Sequence, residues 1–201
     1  MSDVPSFFAE LLPLWQAIDA AAELPTPVFL AAVSKMITIF PLLGSAFSPV
    51  KSDMNGNVGK LQAVFDKADG EPTVQAMVQA DVAAKNVSNK NSAACAGLWL
   101  TRALQYIGLF LAKLHSGTPE TLSAAASEAY TETLAKVHGW ATRQIFNAAL
   151  LAAPKKDAFM AKLGPDQATV LADMGAFLAV FQPIMANTVA FFVAEGVETN
   201  K

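Results

Sequence analysis

FSPVKSDMNGNVGK, from Phe47 to Lys60, combines a helical period with an unusual set of polar side chains. Asp53, Asn57 and Lys60 stand at i, i+4 and i+7, so a helix stacks all three on one stripe. Met54, Val58, Leu61 and Phe65 fall on the opposite side and read as core. An acid, an amide and an ammonium in line offer acceptors and donors at fixed spacing, which suits a polyhydroxylated headgroup. The same three residues also fit a plain solvated helix face. The choice between the two readings rests on company further along the chain, WLTR at 99–102 and VHGW at 137–140.

Working outward, nearly every segment has helical length and period, and strand signals are scarce. The spacing predicts a first helix over Ser6–Ala22, with Ser6 as N-cap and a kink at Pro13. A second helix starts at Thr26-Pro27 and stops at Gly44, and a loop ending SPVKSD leads into the polar-striped helix. Pro72 opens a further helix to about Lys85, NVSNKNS is a loop, and Ala93–Leu114 forms a long apolar helix. Thr118-Pro119-Glu120 begins the next helix, which runs toward Val137. A break near Gly139 leads into Trp140–Ala153, followed by Asp157–Leu163 and a long last helix from Gly164-Pro165. The expectation is one all-α domain over residues 1–201, built from about eight helices.

Of 201 residues, 53% are hydrophobic and 15% charged, so the chain carries more apolar surface than a plain core requires. A net charge of −3 offers no basic patch for nucleic acid. The single cysteine, Cys95, excludes an internal disulfide and fits a reducing compartment. The N-terminus lacks a basic n-region, so the expected location is the cytoplasm, with the Asn86-Val87-Ser88 sequon unglycosylated. Two stretches approach the roughly 20 apolar residues of a membrane span. Gln182-Pro183 and Asn187-Thr188 interrupt Met174–Ala194, and Arg102 sits near the centre of Ala93–Ala112, so neither is expected to cross a bilayer.

Catalytic patterns are missing from the chain. Two histidines and one cysteine without metal-ligand spacing argue against a metal site, and no G-x-S-x-G elbow is present. NGNVGK fails as a phosphate loop, because Met54 stands where the first glycine belongs and Leu61 where the magnesium hydroxyl belongs. No cofactor and no enzymatic activity are expected.

Trp99 and Arg102 lie three apart and share a helix face. Singly, a tryptophan there reads as core, an arginine as a snorkelling surface residue, and His138 as a satisfied interior histidine. Together, DMNGNVGK, LWLTRAL and KVHGWATRQIFNAAL, in this order and with these intervals, resemble the glycolipid transfer protein family from about Phe29 to Ala153. The resemblance implies a non-enzymatic, two-layer all-α fold enclosing an apolar lipid slot. It implies that Asp53 and Asn57 hydrogen-bond hydroxyls of a sugar, that Lys60 adds a donor, and that Trp99 stacks under the sugar. Arg102 matches a basic position near the site. His138, with Asp53, would address the ceramide amide, and Trp140 would dip into the membrane interface. Two departures stand out. Lys155-Lys156 follow the Ala152-Ala153-Pro154 turn where the family's animal members carry an aromatic residue, and VETNK lacks the C-terminal tyrosine of some members.

A two-chain lipid leaving a bilayer exposes tens of methylenes, each worth about 0.8 kcal/mol, so a carrier must enclose them. Phe40, Phe47, Val50, Leu104, Ile107, Phe110, Phe146 and Leu150 are the residues expected to line that slot or, equally, to form ordinary core. The expected function is binding of one glycosphingolipid and its transfer between membranes, by a monomer in transient contact with them. Two alternatives stand beside it: the family's ceramide-1-phosphate branch, and a glycolipid sensor that binds without delivering. A phosphate needs clustered cations. That branch carries a lysine and an arginine where this chain has Asn57 and Trp99.

Overall fold

The structure, a computed structural model, describes residues 4–198. These form ten α-helices: α1 Phe7–Gln16, α2 Thr26–Ile37, α3 Phe40–Leu43, α4 Ser48–Phe65, α5 Val74–Ala83, α6 Ala93–Ser116, α7 Leu122–Glu132, α8 Trp140–Leu151, α9 Lys156–Leu163 and α10 Gln167–Ala194. Short 3-10 turns at Ser45–Phe47 and Leu134–Lys136 precede α4 and α8. No strand occurs among the described residues, and the all-α expectation holds.

Side-chain caps set half of the ten helix starts. Ser6, Thr73, Ser92, Thr121 and Asp166 each accept a hydrogen bond from a backbone N–H three residues on. Several boundaries differ from the sequence reading, each for a local reason. The first helix ends at Gln16 and residues 17–22 form turns. The segment expected to run unbroken to Gly44 divides after Ile37, because Pro41 has no N–H to continue the ladder. Ser48–Lys51, expected as loop, is already helical, since Pro49 sits in the first turn where its missing donor costs nothing. Thr73 rather than Pro72 opens α5; the Pro72 carbonyl instead accepts the Thr26 hydroxyl at 2.7 Å. Thr121 rather than Thr118 caps α7, and α7 stops at Glu132. There the Thr133 hydroxyl bonds back to the Ala129 carbonyl and the backbone leaves the helical region.

Helix α6 is the hub, packing against α4, α5, α7 and α10. Helices α1, α2 and α4 pack side by side, as do α10, α6 and α7, and the two sets meet where α1 lies on α10 and where α4 lies on α6. Between α1 and α10 the core is aromatic. Trp15 lies edge-on to Phe181 at 4.6 Å, and Phe177 packs on Phe181 at 5.1 Å and on Phe8 at 5.7 Å. Gly108 lets α6 approach α10 so closely that an added Cβ would lie 2.6 Å from the Phe181 ring. Three helical stretches, Thr26–Leu43, Ala93–Ser116 and Gln167–Ala194, are long and apolar enough to cross a membrane by composition alone. In this fold their buried faces build the shared core.

Candidate functional site

The polar stripe of α4 lines a cleft, with Asn57 buried, Lys60 half-buried and Asp53 exposed. Asn57 is only 3% exposed, and its amide donates to Asp53 Oδ2 at 3.3 Å while accepting from Lys60 Nζ at 3.4 Å. Both bonds are long, so ligand hydroxyls can replace them at little cost. Met54 and Leu61 are buried as expected, and Val58 and Phe65 are partly covered. Met54 also reaches the cleft, because the lining of α4 is broader than the polar stripe.

Across the cleft stands α6. Cys95, Trp99 and Ala103, at successive i+4 steps, line its wall. Trp99 is half-buried, with its indole tilted 27° to the His138 ring at 6.0 Å between centroids. The Arg102 guanidinium lies 4.9 Å from the centroid of the Trp99 ring. Its partner is Glu198, which accepts from Nε at 2.9 Å and from an Nη at 2.7 Å. This two-pronged pair fixes the Arg102 plane and fastens the end of the described chain beside the site.

His138 closes the cleft from the segment before α8. Its Nδ1 pairs with the Tyr130 hydroxyl at 3.1 Å, and its carbonyl accepts from Arg143 Nε at 2.8 Å. Burial holds the imidazole pKa below its ordinary value, with the Arg102 and Arg143 charges acting the same way, so the ring is neutral near pH 7. Burial pushes the Asp53 carboxyl up, partly offset by the Lys60 ammonium. The whole cleft measures about 530 Å³.

Structure and sequence reading meet unevenly here. Asp53, Asn57, Lys60, Trp99 and His138 all line one cleft. Arg102 stands behind Trp99 and does not line it. Of the slot residues, Val50 and Phe146 reach the cleft, whereas Phe40, Phe47, Leu104, Ile107, Phe110 and Leu150 lie in the closed core. Trp140 is 77% exposed at the start of α8. Lys90 and Cys95 also line the cleft and were missed. Cys95 could have been found one turn before Trp99, but Lys90 sits in a loop whose path no periodicity reveals. The missing C-terminal tyrosine concerns a tail whose last residues, 199–201, lie outside the described residues.

Fold and cleft together define an all-α sandwich whose polar-lined cleft also presents apolar side chains. The glycolipid transfer protein (GLTP) family profile matches residues 24–165. The chain belongs to that family, whose members are lipid transfer proteins. It is 36% identical to a glycolipid transfer protein of Aureobasidium melanogenum over 167 residues, 82% of this chain and 81% of the relative. It is 34% identical to human pleckstrin homology domain-containing family A member 8 over 80% of this chain, spanning only 31% of that longer protein. Among solved structures, FAPP2, described as selecting simple glycosphingolipids using the GLTP-fold, superposes with a TM-score of 0.87 at 28% identity, covering 98% of this chain and 99% of that one. HET-C2, a fungal glycolipid transfer protein, gives 0.79 at 32%, covering 94% and 93%. Human ceramide-1-phosphate transfer protein in complex with ceramide-1-phosphate gives 0.87 at 19%, covering 98% and 99%, which shares the fold alone.

Proposed function

We propose that this protein binds one glycosphingolipid and carries it between membranes. The sugar sits in the mouth of the cleft, against Asp53, Asn57 and Lys60, with Trp99 stacked beneath it. Neutral His138, with Asp53, addresses the amide, and the two chains enter an apolar slot that opens past Val50 and Phe146. The observation that carries this reading is the buried Asn57 amide held in line between an acceptor and a donor. A ligand lacking the matching hydroxyls would leave these groups unpaired in a desolvated site, which is how such a site discriminates.

The electrostatics favour a sugar over a phosphate monoester. The Arg102 fork is occupied by Glu198, and the Asp53 carboxylate lines the mouth. A phosphate would meet a like charge there, with Lys60 and Lys90 as the lining cations. On the membrane side, Trp140 and Leu151 stand eleven residues apart on one face of α8, and are 77% and 85% exposed. Arg143, Lys155 and Lys156 flank them, as a face touching an anionic bilayer requires. The proposal includes a monomer in the cytoplasm that meets membranes only transiently.

Transfer of fluorescent galactosylceramide and ceramide-1-phosphate between vesicles, side by side, tests this. The expected result is glycolipid transfer that is lost in Asp53→Val and Trp99→Ala. Transfer of the phosphate lipid alone would move the chain to the other headgroup class. Binding of glycolipid without delivery would make it a sensor.

A further inference from the structure

Helix α6 continues its cleft-lining stripe inward. Cys95, Trp99 and Ala103 line the cleft, and Tyr106 follows on the same stripe at i+11 from Cys95. Tyr106 is 1% exposed and walled off by Phe146, whose ring meets it edge-on at 5.3 Å. Its hydroxyl is fully buried and has no hydrogen-bond partner among the described residues. The neighbouring phenol, Tyr130, lies edge-on at 6.4 Å and is paired with His138. Burial raises the Tyr106 pKa well above that of an ordinary phenol, so the group is a neutral donor and acceptor.

A buried phenol without a partner is costly, and phenylalanine would fill the same space without that cost. Lipid methylenes cannot supply the missing bond. A hydroxyl on the lipid can. Tyr106 stands about 10 Å along α6 from Trp99, two turns deeper than the sugar platform. A lipid whose sugar rests on Trp99 and whose amide lies by His138 passes Tyr106 with the first carbons of its chains.

We propose that Tyr106 is a specificity-determining residue for sphingolipids hydroxylated close to the amide. The hydroxyl belongs either to the acyl chain at C2 or to the long-chain base at C4, and it pairs with the phenol once the entering chain displaces Phe146. This inference rests on the glycosphingolipid reading.

The test compares vesicle-to-vesicle transfer of three glucosylceramides of equal chain length: unhydroxylated, 2-hydroxyacyl and 4-hydroxy-base. Wild type is expected to favour one hydroxylated lipid over the plain one by roughly two- to ten-fold, the range of a single net hydrogen bond. In Tyr106→Phe that ratio falls to one, and the lipid-free variant melts no lower than wild type. Which hydroxylated lipid is preferred identifies the source of the hydroxyl. A wild type that transfers all three alike overturns the inference and leaves the carrier reading intact. So does a preference that survives in Tyr106→Phe while the lipid-free variant melts lower, which would assign the phenol to a structural water. Absence of any glucosylceramide transfer overturns both.

Discussion

The two edges of the helical sandwich are built differently. Where α1 and α10 meet, Trp15, Phe177, Phe181 and Phe8 interlock and are fully or almost fully buried. Where α4, α6 and α8 meet, the half-buried Trp99, the polar Asn57 and the little-covered α8 surround a cleft. Of twelve residues in α8, only Phe146, Ala149 and Leu150 are buried. The first edge is close-packed and resists deformation. The second is less tightly closed, because α8 contributes few buried side chains to it. In this fold the close-packed aromatic seam and the polar-lined cleft lie at different helix contacts.

The sharpest way to break the comparison is to exchange the roles of two tryptophans. Trp15→Ala is expected to cost about 3–5 kcal/mol in denaturant unfolding, as for other buried aromatic truncations. Trp99→Ala is expected to leave the unfolding midpoint close to wild type while abolishing lipid transfer, because that ring is only half-buried. Equal destabilisation by both would remove the distinction between the seams.

Gly108→Val probes the neighbouring contact of α6 with α10, on the Phe181 ring that the rigid seam shares. With the Phe181 ring 2.6 Å from the position of an added Cβ, overpacking is expected to cost about 1–3 kcal/mol. A thermal melt unchanged from wild type would show that α10 can move away from α6.

At the cleft, Glu198→Ala frees the Arg102 fork. The pair is mostly covered, with side chains 13% and 14% exposed, so the expected loss is about 1–2 kcal/mol, between surface and fully buried pairs. Glycolipid transfer should fall several-fold as well, since the Arg102 guanidinium packs on the Trp99 ring at 4.9 Å and helps hold it in place.

The smallest effects are those of pH, and they carry opposite signs. Asp53 has a raised pKa in the folded state, so its ionisation disfavours folding above the unfolded value of 3.8. Asp53→Asn is therefore expected to raise the melting temperature at pH 7, with the gain vanishing as pH falls below 3.8. His138 has a lowered pKa, so the unfolded chain takes up its proton first. Stability is expected to decline as pH drops through about 6.5, and His138→Gln should flatten that decline.

The same contrast explains what the sequence made legible. Helix identity was readable almost throughout, because apolar period and capping residues are local signals; Ser6 capped α1 where expected. Boundaries failed where two local signals competed, as at Thr118 and Thr121, or where a proline could serve as either first turn or breaker, as at Pro49 and Pro41. Motif spacing brought Asp53, Asn57 and Trp99 to one cleft because α4 and α6 present them by short-range period, and His138 joins them from the segment just before α8. The Arg102–Glu198 pair spans 96 residues and the Tyr130–His138 bond depends on a turn after α7, so neither left a local trace. Core and slot residues share one apolar alphabet. Phe146 at the cleft and Phe110 behind it cannot be told apart until the helices are assembled.

The central claim is that the α4–α6 cleft, and not another surface, receives the lipid headgroup. Titrating isotopically labelled protein with a short-chain glucosylceramide, and following its amide and indole resonances by NMR, tests it most directly. The account predicts large shifts at the Asn57 side-chain amide and the Trp99 indole N–H, with Trp15 and the α1–α10 seam nearly silent. Shifts centred instead on Gln105, Gly108 and Gln182, which line the groove between α6 and α10, would contradict it.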